Sequence, residues 1–227
     1  MAILYILYQA VTFICFAFYA VIGGIALSMN PKAQENRIFS MVGFSLVFWV
    51  GAILMSTVSH DLKTALFWRR ISAIGWGTLY SFLLHFFLVL CGEKRLLKKI
   101  WLYFIIYLPA VINIIVFCIL GDIAENQFHL YMTEFGWTNI PEKSLWDTFF
   151  NIYYLSFSSA VIIVLLRWGF RKKGFRRKHA LGILISYLTA IILGSVSEIF
   201  LSRFIYMRIP SLAQFFIAIP MISIFYE

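Results

Sequence analysis

Seven long apolar runs, separated by short polar or charged loops, constrain the fold of this chain more than any other feature. A helix rises about 1.5 Å per residue, so roughly twenty apolar residues span the roughly 30 Å hydrocarbon core of a bilayer. The predicted segments are Ile3–Met29, Ile38–Ser59, Thr64–Cys91, Ile100–Leu120, Trp146–Trp168, His179–Phe204 and a last one at about 210–227. The pattern predicts an all-α membrane protein, a seven-transmembrane helix bundle in which residues 1–227 form one domain.

The last apolar run is shorter than the others. From Ser211 to Tyr226 it has sixteen residues, fewer than the roughly twenty that a spanning helix needs. We therefore expect this helix to be cut short at Glu227 and to continue in a longer protein.

The composition agrees with a bilayer as the surrounding solvent. The chain is 62% hydrophobic and 13% charged, whereas soluble domains are about 45–50% apolar and about 25% charged. The net charge of +9 has the sign that nucleic-acid binding requires, but most Lys and Arg residues lie in short loops between apolar runs. Charges placed in this way orient a protein in a membrane. We therefore expect the lipid bilayer, and not nucleic acid, as a partner.

The distribution of positive charge between the loops predicts the orientation of the bundle. Loops one, three and five together hold thirteen Lys and Arg residues, and loops two, four and six hold six. Because cytoplasmic loops carry the excess of Lys and Arg, the odd-numbered loops are predicted to be cytoplasmic. The N-terminus then lies outside and the C-terminus lies in the cytoplasm.

The third segment combines small and polar residues on one helix face. Gly75, Thr78, Ser81 and His85 follow one another at spacings of three and four residues, which places them on one side of a helix. Such a stripe is typical of a face that packs against other helices rather than against lipid. We predict that this segment is the central helix of the bundle.

Glu198 is the only acidic residue deep within an apolar run. A carboxylate there opposes membrane insertion by about 2.5–3.5 kcal/mol and is a functional candidate by default. Arg69 and Arg70, at the outer end of helix three, are predicted to reach toward it, and Arg203 is a partner nearer in sequence. The alternative is a structural glutamate, either ion-paired or protonated and hydrogen-bonded.

A further set of polar and aromatic side chains is predicted near the midplane or in the outer half of the bundle. Together with Glu198 they are candidates to line a cavity open to the outside. They are Trp76 and Tyr80 in helix three, Asn113 in helix four, and Tyr153 and Tyr154 in helix five. Interhelical packing and an interfacial aromatic belt are the alternative for each.

His85 is predicted nearer the inner end of helix three. At about 1.5 Å per residue it lies about 20 Å along the bundle axis from the level of Glu198, so a direct contact is not expected. His85 is a candidate proton-sensitive switch, because imidazole titrates near neutral pH. The alternative is a hydrogen bond to a neighbouring helix.

The fourth loop, Gly121–Leu145, is the longest and the only acidic one. It carries four acidic residues against one Lys, together with four aromatic residues that include Trp137. A long aromatic loop over the outer mouth of a bundle is compatible with a lid, and a solvated connector is the alternative. Asn139 to Pro141 are predicted to interrupt any regular element there.

The sequence contains no pattern for catalysis, metal binding or cofactor binding. The four histidines are scattered without metal-ligand spacing, and G-x-S-x-G and glycine-rich phosphate loops are missing. The three cysteines lie within or at the ends of apolar runs and are expected to be small buried hydrophobic residues. We predict no enzyme activity, no metal and no cofactor for this segment.

A set of short motifs occurs in a fixed order along the chain. They are Asn30-Pro31 after helix one, FWRRISAIGW and LLHFFLVLCGE in helix three, Gly136-Trp137 in the outer loop, and then LRWGFRKK, ILGSVSE and IPSL. In this order and spacing they resemble the N-terminal seven-transmembrane region of bacterial histidine kinases, a module also found ahead of diguanylate cyclase domains. The resemblance implies a bacterial cell membrane, a homodimer, and a last helix that leads into a cytoplasmic output domain beyond residue 227.

We predict a sensory input domain that responds to an extracytoplasmic or membrane signal, which is a small molecule, a peptide or a lipid. Helix seven would relay the signal inward, which requires a free-energy difference between two helix packings. The candidate signalling residues are Glu198, Arg69, Arg70, Trp76, Tyr80, Asn113, Tyr153 and Trp137, with His85 as a switch. The alternatives are a small transporter or channel that uses Glu198 and His85 on a polar path, and a passive anchor for a cytoplasmic enzyme.

Overall fold

A computed structural model of the chain describes residues 2–120, 128–140, 144–201 and 210–225. Helices make up most of this part of the chain. The long helices are α1 (Ala2–Met29), α2 (Gln34–Thr57), α3 (Leu62–Leu90), α5 (Ile100–Asn113), α6 (Leu145–Arg171) and α7 (Phe175–Ser195). The short ones are α4 (Lys94–Leu97), α8 (Ala213–Phe216) and α9 (Ala218–Phe225).

Within the described ranges, six helical segments are long and apolar enough to cross a membrane, and a shorter apolar one runs from Ala213 to Phe225. Large apolar side chains cover the outside of the bundle. Ile3, Phe104 and Ile152 are each more than half exposed. Extended apolar surfaces of this kind mark contact with a membrane rather than with water. The architecture confirms the predicted all-α, seven-transmembrane helix bundle.

The helix α3 lies at the centre of the bundle, as predicted. In its most apolar stretch 78% of the residues are buried, against 28% in α1 and in the span that contains α5. It packs against α2, α5 and α6. Gly75 permits close contact with α2, because a Cβ atom at this position would collide with the backbone of Ser45 and Trp49.

Both α5 and α7 continue into a π-helical segment. These segments are Ile114–Ile119 and Val196–Leu201, whereas the sequence predicted uninterrupted helices to Leu120 and Phe204. Residues 202–209 lie outside the described part of the chain. π-Helical turns are rare and often occur at functional sites, and both segments contribute to one cavity.

The connection between α5 and α6 contains a β-hairpin, which the sequence did not predict. Strand β1 (His129–Thr133) pairs antiparallel with β2 (Gly136–Ile140). The expected interruption at Asn139 is wrong, because β2 extends through this residue and pairs with β1 in a regular antiparallel ladder. Pro141 lies outside the described residues.

The hairpin packs on the C-terminal end of α2. Gly136 has a positive φ of +97°, and a Cβ atom there would collide with the carbonyl oxygen of Thr57. The indole Nε1 of Trp137 donates a hydrogen bond of 2.9 Å to the carbonyl oxygen of Ser59. We call this side of the molecule the hairpin end of the bundle.

Side-chain caps mark the beginning of α3 and of α6. The Asp61 carboxylate accepts a hydrogen bond of 2.9 Å from the Thr64 amide, and Ser144 Oγ accepts one of 3.0 Å from the Asp147 amide. Caps of this type satisfy backbone N–H groups that have no partner within the helix. The hydrogen bonds from Thr64 also lower the pKa of Asp61 below its ordinary value.

The opposite end of the bundle holds the basic residues of loops three and five. Arg171 Nη1 lies 2.7 Å from Glu93 Oε1 and joins the C-terminal ends of α6 and α3. Because this ion pair is largely exposed, it contributes about 1 kcal/mol or less. Three basic residues used to predict the orientation, Lys143, Arg203 and Arg208, lie outside the described residues. The orientation across the membrane stays a prediction, as does the early end of the last helix.

Candidate functional site

A cavity of about 210 Å³ lies inside the bundle, beneath the hairpin. Its walls come from α2, α3, α6, α7, the hairpin, and the residues Pro210–Phe225, which we call the final segment. An apolar cavity of about 150 Å³ holds a benzene molecule. The cavity therefore has room for a small organic molecule.

Among the residues that the structure describes, three charged side chains line the cavity. They are Arg69 from α3, Asp147 from the first turn of α6, and Glu198 from the π-helical segment after α7. Arg69 and Glu198 interact electrostatically. No salt bridge joins Arg69 to Glu198 among the described residues, and both side chains line the cavity. The structure thus brings two of the predicted residues to one site.

Glu198 holds the beginning of the final segment. Its Oε1 atom accepts hydrogen bonds from the backbone nitrogens of Leu212 at 2.9 Å and Ala213 at 3.3 Å. These amides precede or begin α8, where backbone N–H groups have no partner within the helix, and a carboxylate is favourable there. Since Glu198 also lines the cavity, one carboxylate connects the cavity to the final segment. Arg203, its alternative partner, lies outside the described residues.

Arg69 lies close to the hairpin. Its Cζ atom is 5.4 Å from the centroid of the Phe128 ring, a distance typical of a cation–π interaction. Its Nε atom is buried and has no hydrogen-bond partner among the described residues. A buried donor without an acceptor costs about 1–3 kcal/mol. This atom is therefore a position at which water or a ligand would be stabilising.

The predicted residues Trp76 and Tyr80 form part of an aromatic wall. Trp76 makes edge contacts with Phe117 and Phe150, with ring centroids 4.9 and 4.7 Å apart. Tyr80 makes a similar contact with Tyr154 at 4.9 Å. Edge-to-face contacts of this type stabilise an aromatic cluster beyond the burial of its area. The wall therefore presents rigid rings to the cavity.

The hairpin forms the roof of the cavity. Trp137, Thr138 and Asn139 all line it, and the hydrogen bond from Trp137 fastens the hairpin to the end of α2. The Oδ1 atom of Asn139 is buried and accepts no hydrogen bond within the described ranges. Residues 128–140 of the fourth loop, which the sequence offered as a lid or a connector, thus cover the cavity.

Three of the predicted residues lie outside the lining that the structure describes: Tyr153, Asn113 and Arg70. The Tyr153 hydroxyl is 2.9 Å from the Ser81 amide, whose hydrogen bond it accepts, and donates one of 3.1 Å to the Gly77 carbonyl oxygen. These bonds fasten α6 to α3. Interhelical packing was the alternative left open for Tyr153.

Asn113 and Arg70 are near the site without facing it. Asn113 Nδ2 donates a hydrogen bond of 2.9 Å to the Pro109 carbonyl oxygen of its own helix, just before the π-helical segment. Arg70 follows Arg69 on α3 but does not contribute to the cavity wall. Of the two neighbouring arginines, only Arg69 lines the cavity in the described part of the chain.

His85 lies between α3 and α5, away from the cavity lining. Its Nδ1 atom is 2.6 Å from the hydroxyl of Tyr107, and its ring makes an edge contact with Tyr103. This is the hydrogen bond to a neighbouring helix that the sequence offered as the alternative to a switch. His85 is not among the described residues that line the cavity with Glu198.

Sequence analysis missed Gln214, which is fully buried in the final segment. Its Nε2 atom donates to the Tyr8 hydroxyl and to the Ser211 carbonyl oxygen, both at 3.3 Å. The Tyr19 hydroxyl donates a hydrogen bond of 2.5 Å to the backbone oxygen of Gln214. The signal was an amide within an apolar run, but among such amides the sequence analysis considered only Asn113.

Nearly the whole chain matches one known family. The family described as the N-terminal 7TM region of histidine kinase matches residues 7–226. The chain belongs to this family. The resemblance that the short motifs indicated is thus confirmed. A search of curated proteins finds no match.

As a member of this family, the chain is a multi-pass membrane domain. The seven-transmembrane region that defines the family is a non-catalytic input domain. Within the described ranges, no group of three or more His, Cys, Asp or Glu side chains is arranged to hold a metal ion. The cavity is accordingly a candidate sensory site. Its defining property is the shared wall with the final segment.

Proposed function

We propose that the chain is the sensory input domain of a bacterial histidine kinase, in which a signal molecule enters the cavity and repositions the final segment. One observation carries this proposal. The final segment forms a wall of the cavity, and Glu198, which lines the same cavity, caps its beginning. A molecule in the cavity would therefore contact the element that leads toward the output domain. The wall residues of the final segment include Ser211, Ala213, Ile217 and Met221.

The course of the final segment supports a relay from one end of the bundle to the other. Near its beginning, Ser211 accepts a hydrogen bond from Tyr8 in the first turns of α1. Near its end, Phe225 stacks on Phe39 in the first turns of α2, with ring centroids 6.5 Å apart. Because α1 and α2 run antiparallel, these two contacts lie toward opposite ends of the bundle.

The hydrogen bonds that hold the final segment are together similar in free energy to a two-state conformational shift. A net hydrogen bond contributes about 0.5–1.5 kcal/mol, and one to a charged group about 1.5–3 kcal/mol. The bonds that fasten the final segment run to Glu198, Tyr8 and Tyr19. A shift of a two-state equilibrium from 1:99 to 99:1 needs about 5.5 kcal/mol of differential binding. A ligand that competes for a few of these bonds supplies a free energy of this order.

The orientation is part of the proposal. Positive-inside asymmetry supports a cytoplasmic position for the basic end and an external position for the hairpin end. The signal would then enter from outside, beneath the hairpin. The final segment would lead to a kinase domain in the cytoplasm, and the intact protein would act as a homodimer in the bacterial cell membrane.

The test uses the intact protein in lipid nanodiscs, with autophosphorylation as the measured output. Glu198→Ala removes the cap on the final segment, so we expect basal autophosphorylation to change several-fold. Glu35→Ala, an exposed acidic residue of α2, is the matched control and should have no effect. Equal autophosphorylation in both variants and the unaltered protein would contradict the proposal. Solute flux through proteoliposomes would instead support a transporter or channel.

A further inference from the structure

Charges of both signs line the same cavity. Arg69 contributes a guanidinium, and Asp147 and Glu198 contribute carboxylates. A ligand with one charge would complement one set of these groups and would be repelled by the other. A zwitterion complements both.

The buried polar atoms of the lining point to the same chemistry. Arg69 Nε is a donor and Asn139 Oδ1 is an acceptor, and neither has a hydrogen-bond partner among the described residues. Buried polar atoms are nearly always paired, so such atoms indicate water or a ligand. A carboxylate offers acceptors to Arg69, and an ammonium group offers three donors.

Aromatic rings form one part of the remaining wall, and the volume of the cavity restricts the size of the ligand. Trp76, Tyr80 and Tyr154 belong to the packed ring cluster, and such rings attract both apolar groups and ammonium groups. The volume of about 210 Å³ exceeds the roughly 150 Å³ that encloses benzene. The difference leaves space for a few polar atoms attached to one ring or to a branched alkyl group.

We propose that the signal molecule is a small zwitterion with an apolar body, of the class of the free apolar and aromatic amino acids. Its carboxylate binds Arg69, and its ammonium group lies against Glu198 and the aromatic rings. This inference rests on the proposed function, because it assigns the ligand of the same cavity. It also explains how occupancy would reach the final segment, since an ammonium group near Glu198 competes with the amides of Leu212 and Ala213.

The experiment measures the affinity of three matched probes for the full-length protein in nanodiscs by calorimetry. L-Phenylalanine carries both charges, phenethylamine lacks the carboxylate, and 3-phenylpropionate lacks the amine. Each charged contact contributes about a tenfold change in Kd or more. We therefore expect L-phenylalanine to bind at least about tenfold more tightly than either analogue. L-Leucine extends the test to an apolar body without a ring.

Two neighbouring arginines provide the control variants. Arg69→Gln should remove the advantage of L-phenylalanine over phenethylamine, because the carboxylate of L-phenylalanine then has no cationic partner. It should preserve the advantage over 3-phenylpropionate, which depends on the amine. Arg70→Gln, on the same helix but outside the described lining, should leave all three affinities unchanged.

Several outcomes would overturn the inference. They are the absence of binding of L-phenylalanine and L-leucine up to about 10 mM, equal affinities for the three phenyl probes, and equal effects of Arg69→Gln and Arg70→Gln. Selective stabilisation by phospholipids alone would assign the cavity to lipid and would also overturn it. The proposed function is judged separately by autophosphorylation of Glu198→Ala. A changed output with no amino-acid binding refutes only the ligand class, and binding without any change in output refutes the relay.

Discussion

The Oε1 atom of Glu198 lies 2.9 Å from the backbone nitrogen of Leu212, so an acidic side chain of the sixth spanning segment caps the beginning of the final segment. A carboxylate embedded in a membrane is energetically unfavourable, and here it accepts hydrogen bonds from the backbone amides of Leu212 and Ala213. The same side chain lines the cavity. This relationship connects a candidate binding site to the final segment.

Two substitutions of Glu198 distinguish its role as a hydrogen-bond acceptor from its negative charge. Glu198→Gln keeps an acceptor oxygen for the amides of Leu212 and Ala213, whereas Glu198→Ala leaves them without it. Leaving a buried donor unsatisfied costs about 1–3 kcal/mol. We expect amide hydrogen exchange across residues 211–216 to accelerate about tenfold or more in Glu198→Ala and less in Glu198→Gln. Equal rates in the two variants would show that the oxygen does not hold this segment.

The bond between α1 and the final segment is tested by removing one hydroxyl group. Tyr19→Phe leaves the backbone oxygen of Gln214 without its 2.5 Å donor, and we expect a loss of about 1–3 kcal/mol of stability. Tyr5→Phe on the same helix is the control, because Tyr5 is half-buried and forms no hydrogen bond with another described side chain. Thermal unfolding in detergent measures both. Identical unfolding temperatures would contradict a stabilising role for this bond.

The close approach of α3 to α2 predicts opposite effects for two glycine variants. Gly75→Ala introduces a methyl group into the backbone of α2, and such overpacking costs about 1–3 kcal/mol. At this chain length each kcal/mol corresponds to roughly 2–4 °C in Tm. Gly24→Ala has no atom within 4 Å of its new methyl group and should be neutral or stabilising. A Gly75→Ala protein as stable as Gly24→Ala would refute this close packing.

The roof of the cavity is tested at the indole of Trp137. Trp137→Phe keeps an aromatic ring but removes the hydrogen bond to the Ser59 carbonyl oxygen. Loss of about 1 kcal/mol should raise hydrogen exchange of residues 129–140 by up to about tenfold. Trp101→Phe, half-exposed on α5, is the control and should leave the hairpin unchanged. Exchange that is no faster in Trp137→Phe would mean that other contacts hold the roof.

Hydropathy and the spacing of small residues were sufficient to predict much of the fold. The apolar runs predicted the spanning helices, and the small residues around Gly75 predicted a central α3. The sequence signals were local and additive in these cases, because burial in a bilayer depends mainly on composition over a helix length. Arg69 and Glu198 were predicted to approach each other, and the structure places both at one cavity.

The parts that could not be predicted depend on tertiary packing. Strand β2 runs through Asn139 because the hairpin is held by the ends of neighbouring helices. The π-helical segment that carries Glu198 has no sequence marker comparable to a cap residue. Gln214 is neutral, and its importance follows only from the two tyrosines of α1 that it meets in three dimensions. Single-sequence patterns do not contain these long-range contacts.

The most direct measurement uses a wedge between α7 and the final segment. A Cβ atom at Gly194 lies 3.4 Å from the Ala213 side chain, so Gly194→Val pushes on the final segment from inside the cavity wall. Gly182→Val makes the same change on the same helix, where no atom lies within 4 Å. In the intact protein we expect autophosphorylation to change several-fold in Gly194→Val and to stay unchanged in Gly182→Val. Folded proteins with the same autophosphorylation in both variants would contradict a relay through the final segment.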